Sequence, residues 1–216
     1  MGPIRRRSTE WTGPGGSVRE DFECLVASTA GPTHARRLVH AGLGAGVASL
    51  LWALEPSRTV SAAAGAGAVA GFLGLDLARL AVPRLNLSFH RLLRPLLTPP
   101  EAHRVAGSTW YVAGILAAVV LFPPEAAVPA IWVLALADPA ASWVGRRWGR
   151  RPLGAGMLEG FAAFVLVAGA ILTVAVPLPA ALLGAIVGGL VEIAPWRVDD
   201  NLTIPPAVAG VLWIAA

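Results

Sequence analysis

The stretch VAGSTWYVAGILAAVVLF, from Val105 to Phe122, contains no charged side chain over its whole length. It begins directly after Arg104 and ends at a Pro-Pro-Glu turn. A helix that crosses the hydrocarbon core of a bilayer needs about 20 mostly apolar residues, because that core is roughly 30 Å thick. The stretch therefore predicts a membrane span.

Six further apolar segments repeat this pattern along the chain. They are Leu38–Leu54, Val60–Leu75, Ala126–Ala137, Phe161–Val176, Leu178–Ala194 and Ile204–Ala216. Of the 216 residues, 56% are hydrophobic and only 14% are charged, against roughly 25% charged in a soluble domain. The sequence predicts an all-α, polytopic membrane helix bundle of about seven transmembrane helices. We expect one domain over residues 34–216 after a flexible polar tail over residues 1–33.

The charges are distributed unevenly between the loops. With seven spans, almost all arginines fall on one side, together with most acids. The only basic residue in the opposite loops is Arg58. Because short cytoplasmic loops carry the excess of basic residues, the N-terminus is predicted to be cytoplasmic. The arginines on that side are Arg5, Arg6, Arg7, Arg19, Arg36, Arg37, Arg79, Arg84, Arg91, Arg94, Arg104, Arg146, Arg147, Arg150, Arg151 and Arg197.

The basic residues are all arginine, since the chain contains no lysine. Codon bias in a high-GC genome accounts for this, and we expect a bacterial or archaeal plasma membrane. Any cation that holds a phosphate must then be Arg, His or a bound metal. Topology already explains the arginines, so no nucleic-acid partner is predicted. The single cysteine, Cys24, excludes an intramolecular disulfide and a Cys-based metal site.

The segment from Leu136 to Arg151 combines an acid, small residues and arginines. Asp138 follows an apolar run, and an acidic residue at a membrane boundary is by default a functional hypothesis. We expect Pro139 to prevent a regular helix from continuing, although this span must extend past Asp138 to cross the membrane. The segment predicts a nucleotide site, and a helix end followed by topology-setting arginines is the alternative. The candidate nucleotide-binding residues here are Ser142, Gly145, Arg146, Arg147, Gly149 and Arg150.

A second acidic group lies near the C-terminus, where Asp199 and Asp200 precede Asn201. Oxygen ligands of this kind suit Mg²⁺, which usually carries the phosphates of a nucleotide. We predict that Asp138, Asp199 and Asp200 bind Mg²⁺ and that Asn201 contacts the nucleotide. The alternative is a turn and helix cap, which the same residues form readily.

Five other residues complete the candidate site. Glu192 and Glu159 lie at membrane boundaries and are candidate catalytic carboxylates together with the three aspartates, although Glu159 also suits a helix N-terminus. Arg36, Arg37 and His40 at the mouth of the first span are candidate nucleotide-binding residues, and an interfacial role is the alternative. The loop from Asp76 to Glu101 is long enough for an amphipathic surface helix.

Four blocks of the chain resemble, in order, those of the polyprenol/dolichol kinase, phytol kinase and CTP-dependent diacylglycerol kinase family. They are RRLVH at 36–40, GSTWY at 107–111, ADPAASWVGRRWG at 137–149, and Glu192 with DDNLTIP at 199–205. The resemblance implies a membrane enzyme that transfers a phosphoryl group from a nucleotide, typically CTP, to a lipid alcohol such as a polyprenol, phytol or diacylglycerol. ATP is the alternative donor.

One departure from the family pattern concerns activity. Proteins of this family usually have Lys and Ser or Thr before Leu-Glu-Gly, where this chain has Gly156 and Met157. Arg150 or Arg151 is expected to replace the missing cation. A cytidylyltransferase acting on a lipid phosphate and an inactive nucleotide- or lipid-binding relative remain alternatives. A transporter is disfavoured, because the central spans are almost free of ionisable residues.

Overall fold

The computed structural model describes residues 18–29, 34–195 and 198–215. Its helices are α1 (Val18–Ala27), α2 (His34–Leu54), α3 (Arg58–Ala81), α4 (Pro83–Leu93), α5 (Gly107–Leu121), α6 (Pro124–Trp148), α7 (Leu158–Leu172), α8 (Leu178–Glu192) and α9 (Asp200–Ile214). Two 3₁₀ turns, Arg94–Leu96 and Pro99–Ala102, connect α4 to α5. Strands β1 (Pro152–Leu153) and β2 (Gly156–Met157) form an antiparallel hairpin between α6 and α7.

The chain is an all-α membrane protein, and each of the seven predicted apolar segments coincides with a helix. Within the described residues, α2, α3 and α6 are long and apolar enough to cross a bilayer, and α5, α7 and α8 are shorter apolar helices. Arg5, Arg6, Arg7 and Arg197, which the sequence places on the Arg-rich side, lie outside the described residues.

The core of the bundle surrounds α6, which packs against α2, α7 and α9. Small side chains let these helices approach closely, as is usual where helices associate in lipid. Larger apolar side chains, such as Phe164 and Leu134, fill the remaining space and are fully buried.

The prediction that Pro139 interrupts the helix is wrong. The helix α6 runs without a break through Pro129 and Pro139 to Trp148. A proline removes one backbone hydrogen bond, but helices that pack around a membrane segment commonly compensate for that loss. As a result, Asp138 projects from a continuous helix rather than from a loop.

The prediction of a flexible tail is wrong for its last part. Residues Val18–Ala27 form α1, which packs on α4. Phe22 is buried against Leu87 and Ala102, and this small cluster joins α1 to the predicted surface helix α4. The rest of the tail that precedes α1 lies outside the described residues.

Candidate active site

His40 connects three helices at one end of the bundle. Its Nε2 atom lies 3.1 Å from the carbonyl oxygen of Leu134 and 3.3 Å from Oδ2 of Asp138, both on α6. Its ring packs edge-on against Tyr111 of α5, and the Tyr111 hydroxyl donates to the His40 carbonyl oxygen at 3.0 Å. These contacts fix His40 beside Asp138. The sequence predicted a site role for each of these two residues but no contact between them.

The start of α9 brings the second acidic group to the same place. Asp199 is the N-cap of α9, and its Oδ1 accepts hydrogen bonds from the backbone N–H and the side-chain amide of Asn201 at 3.1 and 2.6 Å. The capping alternative is therefore real for Asp199. Asp200 and Asn201 line the same cavity as Asp138.

A glycine of α5 permits this approach. A Cβ atom at Gly114 would collide with the backbone carbonyl oxygen of Asn201. Only glycine lets the α9 backbone come so near to α5 at this point. The position of Asp200 and Asn201 therefore depends on a residue that lies far away in sequence.

Glu192 ends α8 and faces the β-hairpin. Its Oε2 atom is buried and has no hydrogen-bond partner within the described chain. A Cβ atom at Gly156 would lie 3.8 Å from that oxygen. The hairpin is held there because Ala155 N–H donates to the Ile193 carbonyl oxygen at 2.7 Å. Gly154 turns the hairpin with a φ of 58°, a conformation that glycine adopts without strain.

These side chains enclose a cavity of about 160 Å³. Its lining consists of Arg36, Arg37, His40, Asp138, Pro139, Ser142, Asp200 and Asn201. The charges of Glu192 and Asp199 act on Asp138 at this range, as do those of Arg36 and Arg37. The cavity therefore combines carboxylates with guanidinium groups, the pairing that recognises a metal-bound phosphate.

Several predicted residues lie outside this lining. Glu159, in the first turn of α7, accepts a hydrogen bond from the Arg151 N–H at 3.4 Å, in keeping with a helix-terminal role. Gly145 packs close to Gly160 where α6 crosses α7, and Gly149 ends α6. The side chains of Arg146, Arg147 and Arg150 are exposed. The nucleotide-binding role of these last five stays a prediction.

Sequence reasoning missed Glu101, which positions Arg36. The Glu101 carboxylate accepts from the Arg36 guanidinium, the Gly107 N–H and the Thr98 N–H, each at 2.6 Å. Burial alone raises the pKa of Glu101, but the ion pair with Arg36 and these hydrogen bonds outweigh it and lower the pKa below its ordinary value. The sequence signal was an acid directly after Thr-Pro-Pro, which forms a capping box here.

A second missed group is the buried ion pair of Asp76 and Arg79. Arg79 Nε donates to Asp76 Oδ1 at 2.6 Å, and Asp76 Oδ2 accepts from the Thr109 hydroxyl and the Ala106 N–H. The other guanidinium nitrogens bind Asn86 and backbone carbonyls. The spacing of three residues on a helix was the available signal. This network ties α3 to the start of α5.

A metal ion fits this site only as part of a nucleotide complex. Among the described residues, no group of three His, Cys, Asp or Glu side chains is close enough to hold a metal ion. Mg²⁺, however, typically binds one or two carboxylates together with substrate phosphates. Asp138 and Asp200 supply such carboxylates, and the buried Asn201 Oδ1 has no partner within the described chain.

Comparison with known proteins identifies three relatives of this chain. The chain is 28% identical over 173 residues to CTP-dependent diacylglycerol kinase 1 of Schizosaccharomyces pombe, covering 68% of this chain and 77% of that protein. This similarity is consistent with the membrane lipid-alcohol kinase family. It is also 31% and 33% identical, over 75 residues, to the proteins of the same name from Saccharomyces cerevisiae and Eremothecium gossypii.

The two shorter matches span about a quarter of those relatives, 26% and 24%, and 35% of this chain. No family model matches the chain, and no solved structure matches it. The three relatives are fungal, so they give no support to the expected bacterial or archaeal membrane.

Proposed function

We propose that this protein transfers the γ-phosphoryl group of CTP to the hydroxyl of a membrane lipid alcohol such as diacylglycerol. The observation that carries this proposal is the cavity where Asp138 and Asp200 face Arg36 and Arg37 at one end of an apolar helical bundle. Phosphoryl transfer requires positioning and neutralisation of phosphate charge more than covalent chemistry. The three relatives, each named a CTP-dependent diacylglycerol kinase, support the same reaction.

The proposed membrane arrangement has seven spans, α2, α3 and α5 to α9, with the N-terminus and the active cavity on the cytoplasmic side. Support comes from the two ends of the bundle. His40, Asp138 and Asp200 line one cavity at one end. Glu55, Arg58 and Glu125 line a second cavity at the opposite end. CTP is available on the cytoplasmic side.

Of the two candidate glutamates, we assign Glu192 as the general base that removes the proton of the lipid hydroxyl. Its Oε2 is buried and has no hydrogen-bond partner among the residues that the structure describes, whereas the Glu159 carboxylate accepts from the backbone N–H of Arg151. A general base must come within hydrogen-bond reach of the proton that it removes. Glu192 has an oxygen available for that contact beside the acidic cavity.

The guanidinium groups would hold the triphosphate. Arg37 donates to the Ser142 carbonyl oxygen at 3.4 Å and has a buried Nε without a partner in the described chain, so it has donors to spare. Arg36 is braced by Glu101. When bound, Mg²⁺ would neutralise charge on the phosphates, held by Asp138 and Asp200 with Asp199 and Asn201 beside them.

The exposed arginines before the hairpin supply the cation that Gly156 lacks. Arg151 pairs across the hairpin, where its carbonyl oxygen accepts from the Leu158 N–H at 2.8 Å, and Arg150 precedes it. Both side chains are exposed at the cavity end of the bundle. Full activity after both arginines are changed to alanine would contradict this role.

An inactive nucleotide- or lipid-binding relative is the second candidate, and Gly156 is the observation that favours it. Position 156 faces Glu192, so a lysine there would meet a buried carboxylate oxygen that has no hydrogen-bond partner among the described residues. CTP binding without turnover would support this candidate.

The deciding experiment uses CTP labelled at either end of its triphosphate. Purified protein in vesicles receives α- or γ-labelled CTP, or γ-labelled ATP, with diacylglycerol, phytol, geranylgeraniol or polyprenol. The proposal predicts that only the γ label reaches the lipid, and more from CTP than from ATP. Transfer of the α label would instead establish cytidylyl transfer.

A further inference from the structure

A cavity larger than that of the acidic site lies at the opposite end of the bundle. It encloses about 490 Å³ between α2, α3, α5 and α6, within the range of ligand-binding pockets. Its wall is mainly apolar and includes Leu51, Val119, Phe122 and Val128. None of these residues belongs to the acidic site.

One face of α6 connects this cavity to the acidic site. Between Ala126 and Ala137 every residue of α6 is buried except Pro129, Trp132 and Leu136, which are partly exposed. With Pro139 they follow a spacing of three, four and three residues, which places them on one face of a helix. Pro129 lines the large cavity and Pro139 lines the acidic one, so this apolar stripe runs from one to the other.

The stripe lies beside a lateral opening in the bundle. The helix α2 packs on α6 and α3 packs on α5, whereas α2 and α3 make no extended contact over their described lengths despite the short turn that joins them. Two helices that pack closely lie about 8–10 Å apart. The separation of α2 from α3 leaves a path from the surrounding lipid to the face of α6.

The length of the path defines its occupant. From Asp138 to Pro124, α6 spans 14 residues, or about 21 Å at 1.5 Å per residue. Half of a hydrocarbon core of roughly 30 Å is about 15 Å. A chain that starts at the acidic site and fills the large cavity therefore extends past the bilayer midplane. The large cavity ends at the charged residues Glu55, Arg58 and Glu125, which mark the opposite membrane–water interface.

We propose that one hydrocarbon chain of the lipid alcohol lies along the Pro129–Trp132–Leu136–Pro139 stripe and ends in the large cavity. This inference rests on the proposed function for the chemical nature of the headgroup. It adds that the protein selects long chains, because only a chain of about 20 Å reaches the large cavity and covers its apolar wall.

Chain-length selectivity tests this path. Ser61 lines the far cavity on α3 and is partly exposed, so a Ser61→Trp change fills the cavity without disturbing the core. We expect kcat/KM for dioleoylglycerol to fall about tenfold and that for dioctanoylglycerol to stay within about twofold. Leu166→Trp, on an outward position of α7 that is 74% exposed, is the matched control and changes neither value. An equal effect of Ser61→Trp on both lipids, or none on either, overturns the proposal.

A binding measurement separates this inference from the proposed function. Wild-type protein in vesicles is irradiated with a long-chain diacylglycerol that carries a diazirine at the end of one chain. Adducts are expected on the peptides that contain Ser61, Val119 or Phe122. Adducts confined to outward residues such as Leu166 and Leu182 contradict the path. Adducts in the cavity without phosphorylation of any lipid leave the path intact and reject the kinase activity.

Discussion

Glu192 and Glu159 have the same side chain and lie at the same end of the bundle, but their surroundings differ. Glu192 has a buried oxygen without a partner in the described chain, and Glu159 accepts the Arg151 N–H. The sequence could not separate them, because each stands next to an apolar run. What separates them is the hairpin turn at Gly154, which brings the backbone of residues 154–156 onto the end of α8.

This difference predicts unequal effects of two identical substitutions. Glu192→Gln should lower kcat by about a hundredfold or more, the usual contribution of a positioned general base. Glu159→Gln should change kcat by no more than a few-fold, because it alters a partly exposed helix end. Initial rates of lipid phosphate formation in vesicles measure both. Equal losses in the two variants would remove Glu192 from its assigned role.

Asp76 and Arg79 form a buried ion pair that joins α3 to the start of α5. Arg79 is fully buried, and its removal would leave the Asp76 carboxylate, 2% exposed, without its cation. Breaking a buried pair on one side costs about 3–5 kcal/mol, so Arg79→Met should lower the melting temperature clearly. The control is Arg91→Met, because Arg91 pairs with Asp21 at 3.7 Å with both side chains more than half exposed. Such exposed pairs contribute about 1 kcal/mol or less.

At the scale of elements, the seven apolar runs predicted α2, α3 and α5 to α9. The continuation of α6 through Pro139 was not predictable, because it depends on neighbouring helices that pack around a segment with a missing hydrogen bond. The helix α1 was missed for a similar reason. Its stability comes from Phe22 packing on α4, a contact between distant parts of the chain.

The contact between α1 and α4 should weaken in acid. His90 of α4 is buried and packs edge-on against Phe22 at 5.2 Å, and its Nδ1–H donates to the Asn86 carbonyl oxygen at 3.0 Å. Burial lowers the pKa of His90 below its ordinary value, and the nearby charge of Arg79 acts in the same direction against the opposing effect of Glu101. The unfolded chain therefore binds a proton more readily than the folded chain.

Stability linked to His90 is thus fully present above its unfolded pKa of about 6.5 and is lost as pH falls below it. The melting temperature of the wild type should fall between about pH 7.5 and about pH 5.5, and His90→Phe should reduce that fall. His34→Asn is the control, since His34 is exposed at the start of α2 and lies on neither α1 nor α4. An unchanged pH dependence in His90→Phe would show that another group is responsible.

At the scale of the whole molecule, the sequence placed the arginines and acids on one side, and the structure brings the acidic blocks together around one cavity. The blocks at 36–40, 137–149 and 199–205 could be predicted to meet because alternating spans return to the same side. Which candidate residues line the cavity and which lie outside it could not be predicted, because Gly114 and Gly154 set the final approach of the helix ends.

The orientation in the membrane has a direct test in Cys24. It is the single cysteine of the chain, is exposed, and lies on α1 at the end of the bundle that holds the active cavity. A membrane-impermeant maleimide should label it in inverted vesicles and not in intact cells. A Cys24→Ser, Ser57→Cys variant should give the reverse pattern, because Ser57 lies in the turn between α2 and α3. Labelling of Cys24 in intact cells would reverse the proposed topology.

The most direct test of the central claim is phosphoryl transfer by the Asp138→Asn protein, purified and returned to vesicles with Mg²⁺, γ-labelled CTP and diacylglycerol. Asp138 lies beside His40 in the lining of the acidic cavity, and the substitution removes a carboxylate charge from that lining. We predict labelled lipid phosphate with the wild type and a loss of about a hundredfold or more in kcat with the variant, at unchanged melting temperature. Equal turnover by the two proteins would show that the chemistry takes place elsewhere in the molecule.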